Sequence, residues 1–148
     1  MQVIEMLAQE IVNLYKKFRL MNYRALFGTI REKDGSLSAT EAYTVDVIYL
    51  LENPTITKLA ETLGISQPNA TYKVNNLSTK GYVVKTVSED DRRECRLQVS
   101  EKFHNYYDTS DGFLLSALEQ LRRQSSEEEL SLFEAMLHSL NEAVEGQE

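Results

Sequence analysis

Apolar residues near the start of the chain recur with the regularity of a heptad. Ile4, Leu7, Ile11, Leu14, Phe18, Met21 and Ala25 lie alternately three and four positions apart. That spacing predicts one long helix with a continuous apolar seam. Near the other end Leu130, Phe133, Leu137, Leu140 and Val144 repeat it, behind a Ser126-x-x-Glu129 capping box that starts the last helix near Glu127. Leu114, Leu118 and Leu121 mark one face of a helix before that. These rows read either as ordinary core or as a dimer interface built from the two chain ends. Their length favours the interface, because a small middle could not cover them.

The middle follows other rules. Ser38-x-x-Glu41 is a second capping box, opening a helix through Tyr43, Val47, Ile48 and Leu51. It should stop at Glu52-Asn53-Pro54, since proline disfavours helical geometry in the residue before it. A short amphipathic helix with Leu59, Ala60 and Leu63 then ends at Gly64, and Ser66 can cap the next one. After Gly81, Tyr82 to Val87 has strand composition, and Glu94 to Val99 alternates with Cys95, Leu97 and Val99 on one face. Ser88 to Arg93 would be the hairpin tip. Helix, sharp turn, helix and hairpin make a winged helix-turn-helix, a plan that offers its second helix to the major groove of DNA.

On that second helix Ala70, Val74 and Leu77 fall on one inward face. Pro68, Asn69, Tyr72, Asn75 and Asn76 face away, flanked by Gln67 and Thr71. Asn and Gln can pair bidentately with adenine, while Thr and Tyr add hydroxyls and contact with a thymine methyl. The alternative is a polar solvent face with no partner. At the wing, Arg92 and Arg93 suit a narrow A·T-rich minor groove, and Asp90 and Asp91 could orient them by fork-type ion pairs. The bland reading there is a solvated tip of mixed charge.

In order and spacing these parts resemble the MarR family of bacterial transcriptional regulators over nearly the whole chain. The matching segments are Lys58 to Ser66, Leu77 to Val83, the wing's Asp91-Arg92-Arg93 followed by Leu97 to Ser100, and Ser126 to Leu130. The resemblance implies an obligate homodimer on pseudo-palindromic operators, commonly a repressor released by a small ligand or an oxidant. Three departures stand out. Tyr72 and Asn76 carry no charge where such proteins often have arginine, Lys73 replaces a more usual apolar residue, and Phe103 a common glycine. The uncharged pair points to an unusual operator.

The expected fold is thus mainly α with a small β-hairpin wing, a winged helix-turn-helix with N- and C-terminal dimerisation helices. Its expected parts are a dimerisation helix over 1–35, a DNA-binding unit over 36–102 and closing helices over 103–148. Candidate DNA contacts are Thr55, Lys58, Ser66, Gln67, Pro68, Asn69, Thr71, Tyr72, Lys73, Asn76, Arg92 and Arg93. The expected partners are double-stranded DNA and a second copy of the chain. A winged-helix module for protein–protein contact is the competing reading.

A net charge of −7 looks wrong for such a partner until it is mapped. Residues 55–100 hold seven Lys/Arg against five Asp/Glu, while residues 101–148 hold three against eleven. The reading unit is locally basic by +2, enough for phosphate contact but modest. A length of 148 residues and 42% hydrophobic content allow one compact domain with a core. No apolar run approaches the roughly 20 residues of a membrane span, and Met1 to Glu10 does not look like a secretory signal. With one cysteine, a cytoplasmic setting is expected.

Little else carries chemistry. His104 and His138 make no metal-ligand spacing with the single Cys95, so neither metal nor cofactor is expected. Cys95 has arginines nearby that could lower its pKa, but its alternation points inward, as a packed thiol. There is no Gly-rich phosphate loop, GxSxG elbow or HExxH pair, so no enzyme is expected. Tyr15, Tyr23, Tyr43 and Tyr49 on the first two helices could line an effector pocket for an aromatic or amphipathic ligand, with Arg19 or Arg24 pairing with an acid group on it. Otherwise those tyrosines simply pack with their hydroxyls at the surface.

Overall fold

The computed structural model describes residues 1–30, 37–87, 89–90, 94–107 and 109–146. They form α1 (Gln2–Ile30), α2 (Ala39–Leu50), α3 (Ile56–Leu63), α4 (Gln67–Thr79), β1 (Val83–Val87), β2 (Cys95–Val99), α5 (Glu101–Tyr107), α6 (Thr109–Gln124) and α7 (Glu127–Glu145). The expected fold class holds: mainly helix, with one antiparallel hairpin as the wing. The chain separates into two compact units, Met1–Thr109 and Ser110–Glu148.

In the first unit, α2, α3, α4 and the hairpin close around Val45, Ile48, Leu59, Val74, Leu77, Tyr82, Val83, Leu97 and Phe103, all at most 2% exposed. Each such side chain contributes about 1.5–3 kcal/mol of burial, which makes this cluster the main stabilising term. Both predicted capping boxes are present. Ser38 accepts from the Glu41 N–H and Ser126 from the Glu129 N–H, while each glutamate returns a bond to the cap residue's own N–H. The core face of α2 is Ala42, Val45 and Ile48, so Tyr43 stands 45% exposed instead of opening that face. Helix α2 stops through left-handed backbone at both Glu52 (φ 52°) and Asn53 (φ 62°), not through Pro54 alone.

Strands β1 and β2 pair in the register Val83↔Val99, Lys85↔Leu97 and Val87↔Cys95. Leu97 is fully buried and Cys95 half-buried, in keeping with the predicted alternation. The hydrophobic pattern does not predict α5. Phe103 creates it a place, with its ring buried 5.2 Å from Tyr49 and 5.6 Å from His104. One large buried side chain in a seven-residue helix is a weak sequence signal, yet it fills the core.

Helix α1 packs on α2 and α5, and its half-buried Phe18, Met21 and Ala25 belong to the predicted seam. Farther toward the start of the same seam, Ile4, Leu7, Ile11 and Leu14 are 68%, 47%, 47% and 52% exposed. In the second unit Leu114, Leu118 and Leu121 on α6 are exposed, as are Phe133, Leu137 and Leu140 on α7. No residue of α7 is buried.

Candidate nucleic-acid interface

The turn between α3 and α4 is built by local chemistry. Thr55 caps α3 by accepting from the Lys58 N–H at 3.1 Å. At the other end Gly64 adopts φ 64°, and Ile65 N–H reaches back to the Ala60 carbonyl at 3.0 Å, the bond of a Schellman stop. Ser66 then caps α4 by accepting from the Asn69 N–H at 3.3 Å, with Pro68 in the first turn where its missing N–H costs nothing. The Gln67 amide donates to Thr57 Oγ1 at 2.8 Å and ties the start of α4 to the first turn of α3.

Helix α4 is anchored by one face and free on the other. Ala70, Val74 and Leu77 are completely buried, and opposite them Tyr72 is 66% exposed. Pro68, Asn69 and Asn75 are exposed as well, while Thr71, Lys73 and Asn76 are half-buried. Thr71 Oγ1 donates to the Gln67 carbonyl at 3.0 Å, so part of its capacity serves the helix itself. Asn75 accepts from Lys85 Nζ. Lys85 pairs with Leu97 across the hairpin but is itself exposed, and its ammonium reaches from β1 to α4.

The wing is fastened at its base. Leu97 N–H donates to the Pro54 carbonyl at 2.9 Å, and Thr55 bridges Arg96 in antiparallel fashion. The Arg96 guanidinium spans Glu94 at 2.6 Å and the Asn53 carbonyl at 3.3 Å. Strand β2, the left-handed turn after α2 and the cap of α3 therefore move together.

Of the candidate contacts, Thr55, Lys58, Ser66, Gln67, Pro68, Asn69, Thr71, Tyr72, Lys73 and Asn76 all lie on this α3–turn–α4 unit. The hydroxyls of Thr55 and Ser66 serve as caps. Asp90 is exposed beside the hairpin tip, and Asp91, Arg92 and Arg93 lie outside the described residues. Sequence reasoning missed Thr57 and Lys85. Neither belongs to a motif, and only the packing of α3 and β1 against α4 reveals them.

The tyrosine group divides differently. On α1 the Arg19 guanidinium sits 5.5 Å from the Tyr15 ring centre and 5.9 Å from that of Tyr23. Tyr43 is on α2. A cleft of about 330 Å³ in the first unit is lined by Ile48, Glu52, Asn53, Gln98, Val99, His104 and Tyr49, the last being one of that tyrosine group. Between α1 and α2, burial pushes the Asp46 carboxyl up, against a hydrogen bond from Asn22. Among the described residues no cluster of His, Cys, Asp and Glu is arranged to hold a metal, and no helix is long and apolar enough to cross a membrane.

Comparison with known proteins agrees with this architecture. The MarR family profile matches residues 36–94. Among solved structures, the chain is similar to Streptococcus pneumoniae FabT in complex with DNA, at 24% identity and a TM-score of 0.51, over 94% of this chain and 99% of that one. It is similar to a mutant MepR from a multidrug resistant S. aureus clinical isolate at 15% identity and a TM-score of 0.61, over 93% and 96% of the two chains. A MarR family protein from Bacillus stearothermophilus matches at 14% identity and a TM-score of 0.60, over 97% and 96%. At these identities the likeness is one of fold. Residues 36–94 match the MarR family profile, and the chain shares its fold with these solved structures.

Proposed function

We propose that the protein is a homodimeric, sequence-specific DNA-binding regulator of transcription, acting as a repressor on pseudo-palindromic operators. The observation that carries this reading is the two-sided character of α4. Three fully buried residues hold it to the core, and Tyr72 projects 66% exposed from the opposite face amid uncharged polar neighbours. A rigid helix with such a face suits base edges in the major groove.

Lys58 and Lys73 act on phosphates, Asn69 and Tyr72 on bases, and Arg92 and Arg93 on the minor groove beside the half-site. Residues 1–35 and 103–148 carry the dimer. The exposed apolar rows of α1, α6 and α7 support that assignment, since a monomer rarely leaves such extended patches open to water. Release by a small ligand belongs to the same reading, with Tyr15, Arg19, Tyr23 and Tyr43 as the residues to test.

A gel-shift titration of the purified protein against duplexes flanking its own gene tests the proposal. The expected result is a retarded complex that survives an excess of scrambled competitor. Equal, weak binding of every duplex down to low salt would overturn it and favour a protein–protein module.

A further inference from the structure

We infer that the half-site read by α4 is built on adjacent A·T pairs, with the Asn69 carboxamide reading an adenine and Tyr72 packing on a thymine methyl. The inference rests on the DNA-binding reading above and adds to it the identity of the bases.

Guanine is most often read by an arginine or lysine aimed at its O6 and N7. Between Gln67 and Thr79 the helix has a single cation, Lys73, and that side chain is half-buried on the flank nearest the core. Four carboxamides remain. Reading adenine needs one amide to accept from N6 and donate to N7 at the same time. The Asn75 oxygen already accepts from Lys85. The Gln67 amide is held against α3 by Thr57. Asn76 is half-buried and two turns from the start of the helix. The Asn69 side chain is exposed, makes no hydrogen bond among the described residues, and sits in the first turn, the part of a recognition helix that reaches base edges. Its backbone, not its amide, serves the Ser66 cap. Tyr72 lies one turn on, the most exposed large hydrophobic side chain of α3 and α4, and its ring offers an apolar edge to the methyl that distinguishes thymine.

The test is selection from a random duplex pool with the full chain, followed by binding measurements on the recovered site. Each adenine is replaced in turn by 7-deaza-adenine, which removes N7, and each thymine by uracil, which removes the methyl. The expected half-site holds adjacent A·T pairs. One deaza substitution should weaken the wild-type protein roughly tenfold yet leave Asn69→Ala unaffected, and one uracil should do the same with respect to Tyr72→Ala. Asn69→Ser is the companion variant, and unchanged circular dichroism establishes that each variant is folded. Recovered half-sites centred on G·C pairs, or penalties that persist in Asn69→Ala and Tyr72→Ala, overturn the inference while leaving DNA binding intact. A pool without enrichment overturns the DNA-binding reading itself, and this inference with it.

Discussion

Glu41 and Lys80 meet at 2.7 Å, with side chains 15% and 31% exposed, and join the first turn of α2 to the C-cap of α4. The same carboxylate closes the capping box on Ser38, so one residue fixes the start of α2 and the end of the candidate reading helix. Lys80 is held in turn from α5, where Lys102 donates to its carbonyl at 2.9 Å and lies over the Tyr82 ring. The tilt of α4 is therefore set at both ends, by Gln67 on Thr57 and by Lys80 on Glu41.

A pH dependence follows from this pair. Burial pushes the Glu41 carboxyl up, but hydrogen bonds from Lys80 and Ser38 outweigh it and hold the group below its ordinary value of 4.5. A depressed folded-state pKa adds stability that is present above the unfolded value and lost as pH falls through the folded one. Lys80→Met should cost about 1 kcal/mol at pH 7, in the range of a partly exposed, hydrogen-bonded pair. The difference from wild type should narrow as pH falls from 4.5 through the lower folded-state value, and vanish once Glu41 is protonated in both folded proteins. Urea unfolding of the two proteins at pH 7 and pH 3.5 checks this, and a gap that widens at low pH would contradict it.

Backbone strain gives a second prediction, with opposite signs at two turns. Gly64 sits at φ 64° with open space around a built Cβ, so Gly64→Ala suffers backbone strain and no clash. The expected loss is about 1–2 kcal/mol. Glu52 occupies the same left-handed region at φ 52° without being glycine, so Glu52→Gly should gain up to about 1 kcal/mol. Thermal melts of both variants test the pair. Equal destabilisation by both would mean that the Glu52 side chain holds the turn through its own contacts.

The local code was legible wherever one residue decides one bond. Ser38, Gly64, Ser66 and Ser126 each stop or start a helix through their own backbone or hydroxyl, and spacing alone located them. The buried side of α4 was legible because helical period sorts Ala70, Val74 and Leu77 onto one face. The bonds that sort its open side were not. Gln67–Thr57 spans ten residues, as does Asn75–Lys85, and each depends on packing angles that no local spacing encodes. Helix α5 escaped for a related reason: Phe103 is explained by Tyr49, more than fifty positions earlier. The left-handed backbone at Glu52 carried no signal, because glutamate seldom adopts it, whereas Asn53 is of a type that does, beside a stop already marked by Pro54.

The exposed rows predict how the chain assembles. Leu137 is 42% exposed on α7 in the single chain, in line with Phe133 and Leu140. If a second copy covers that row, Leu137→Asp buries an unpaired carboxylate in the interface at a cost of several kcal/mol. Sedimentation at micromolar concentration should show wild type at twice 17.0 kDa and the variant shifted to 17.0 kDa or aggregated. A variant that stays dimeric and fully stable would remove Leu137 from the interface. Wild type running as a compact monomer would remove the interface altogether.

Phosphate and base contacts separate by their response to salt. Lys58 stands exposed in the first turn of α3, where its backbone N–H donates to the Thr55 cap. As a phosphate contact it releases counterions, so Lys58→Ala should flatten the slope of log affinity against log salt by about 0.9 per contact, near 2 for a two-fold dimer. It should weaken operator and scrambled duplexes alike. Lys85→Ala asks the same of a cation that Asn75 holds beside α4, with the added effect of freeing that amide. Tyr72→Ala should do the reverse, leaving the slope in place and lowering the operator-to-scrambled ratio by roughly tenfold per half-site. Fluorescence anisotropy at four salt concentrations on both duplexes distinguishes them. Should Lys58→Ala change the ratio but not the slope, its ammonium reads a base, and α3 must lie deeper in the groove than α4.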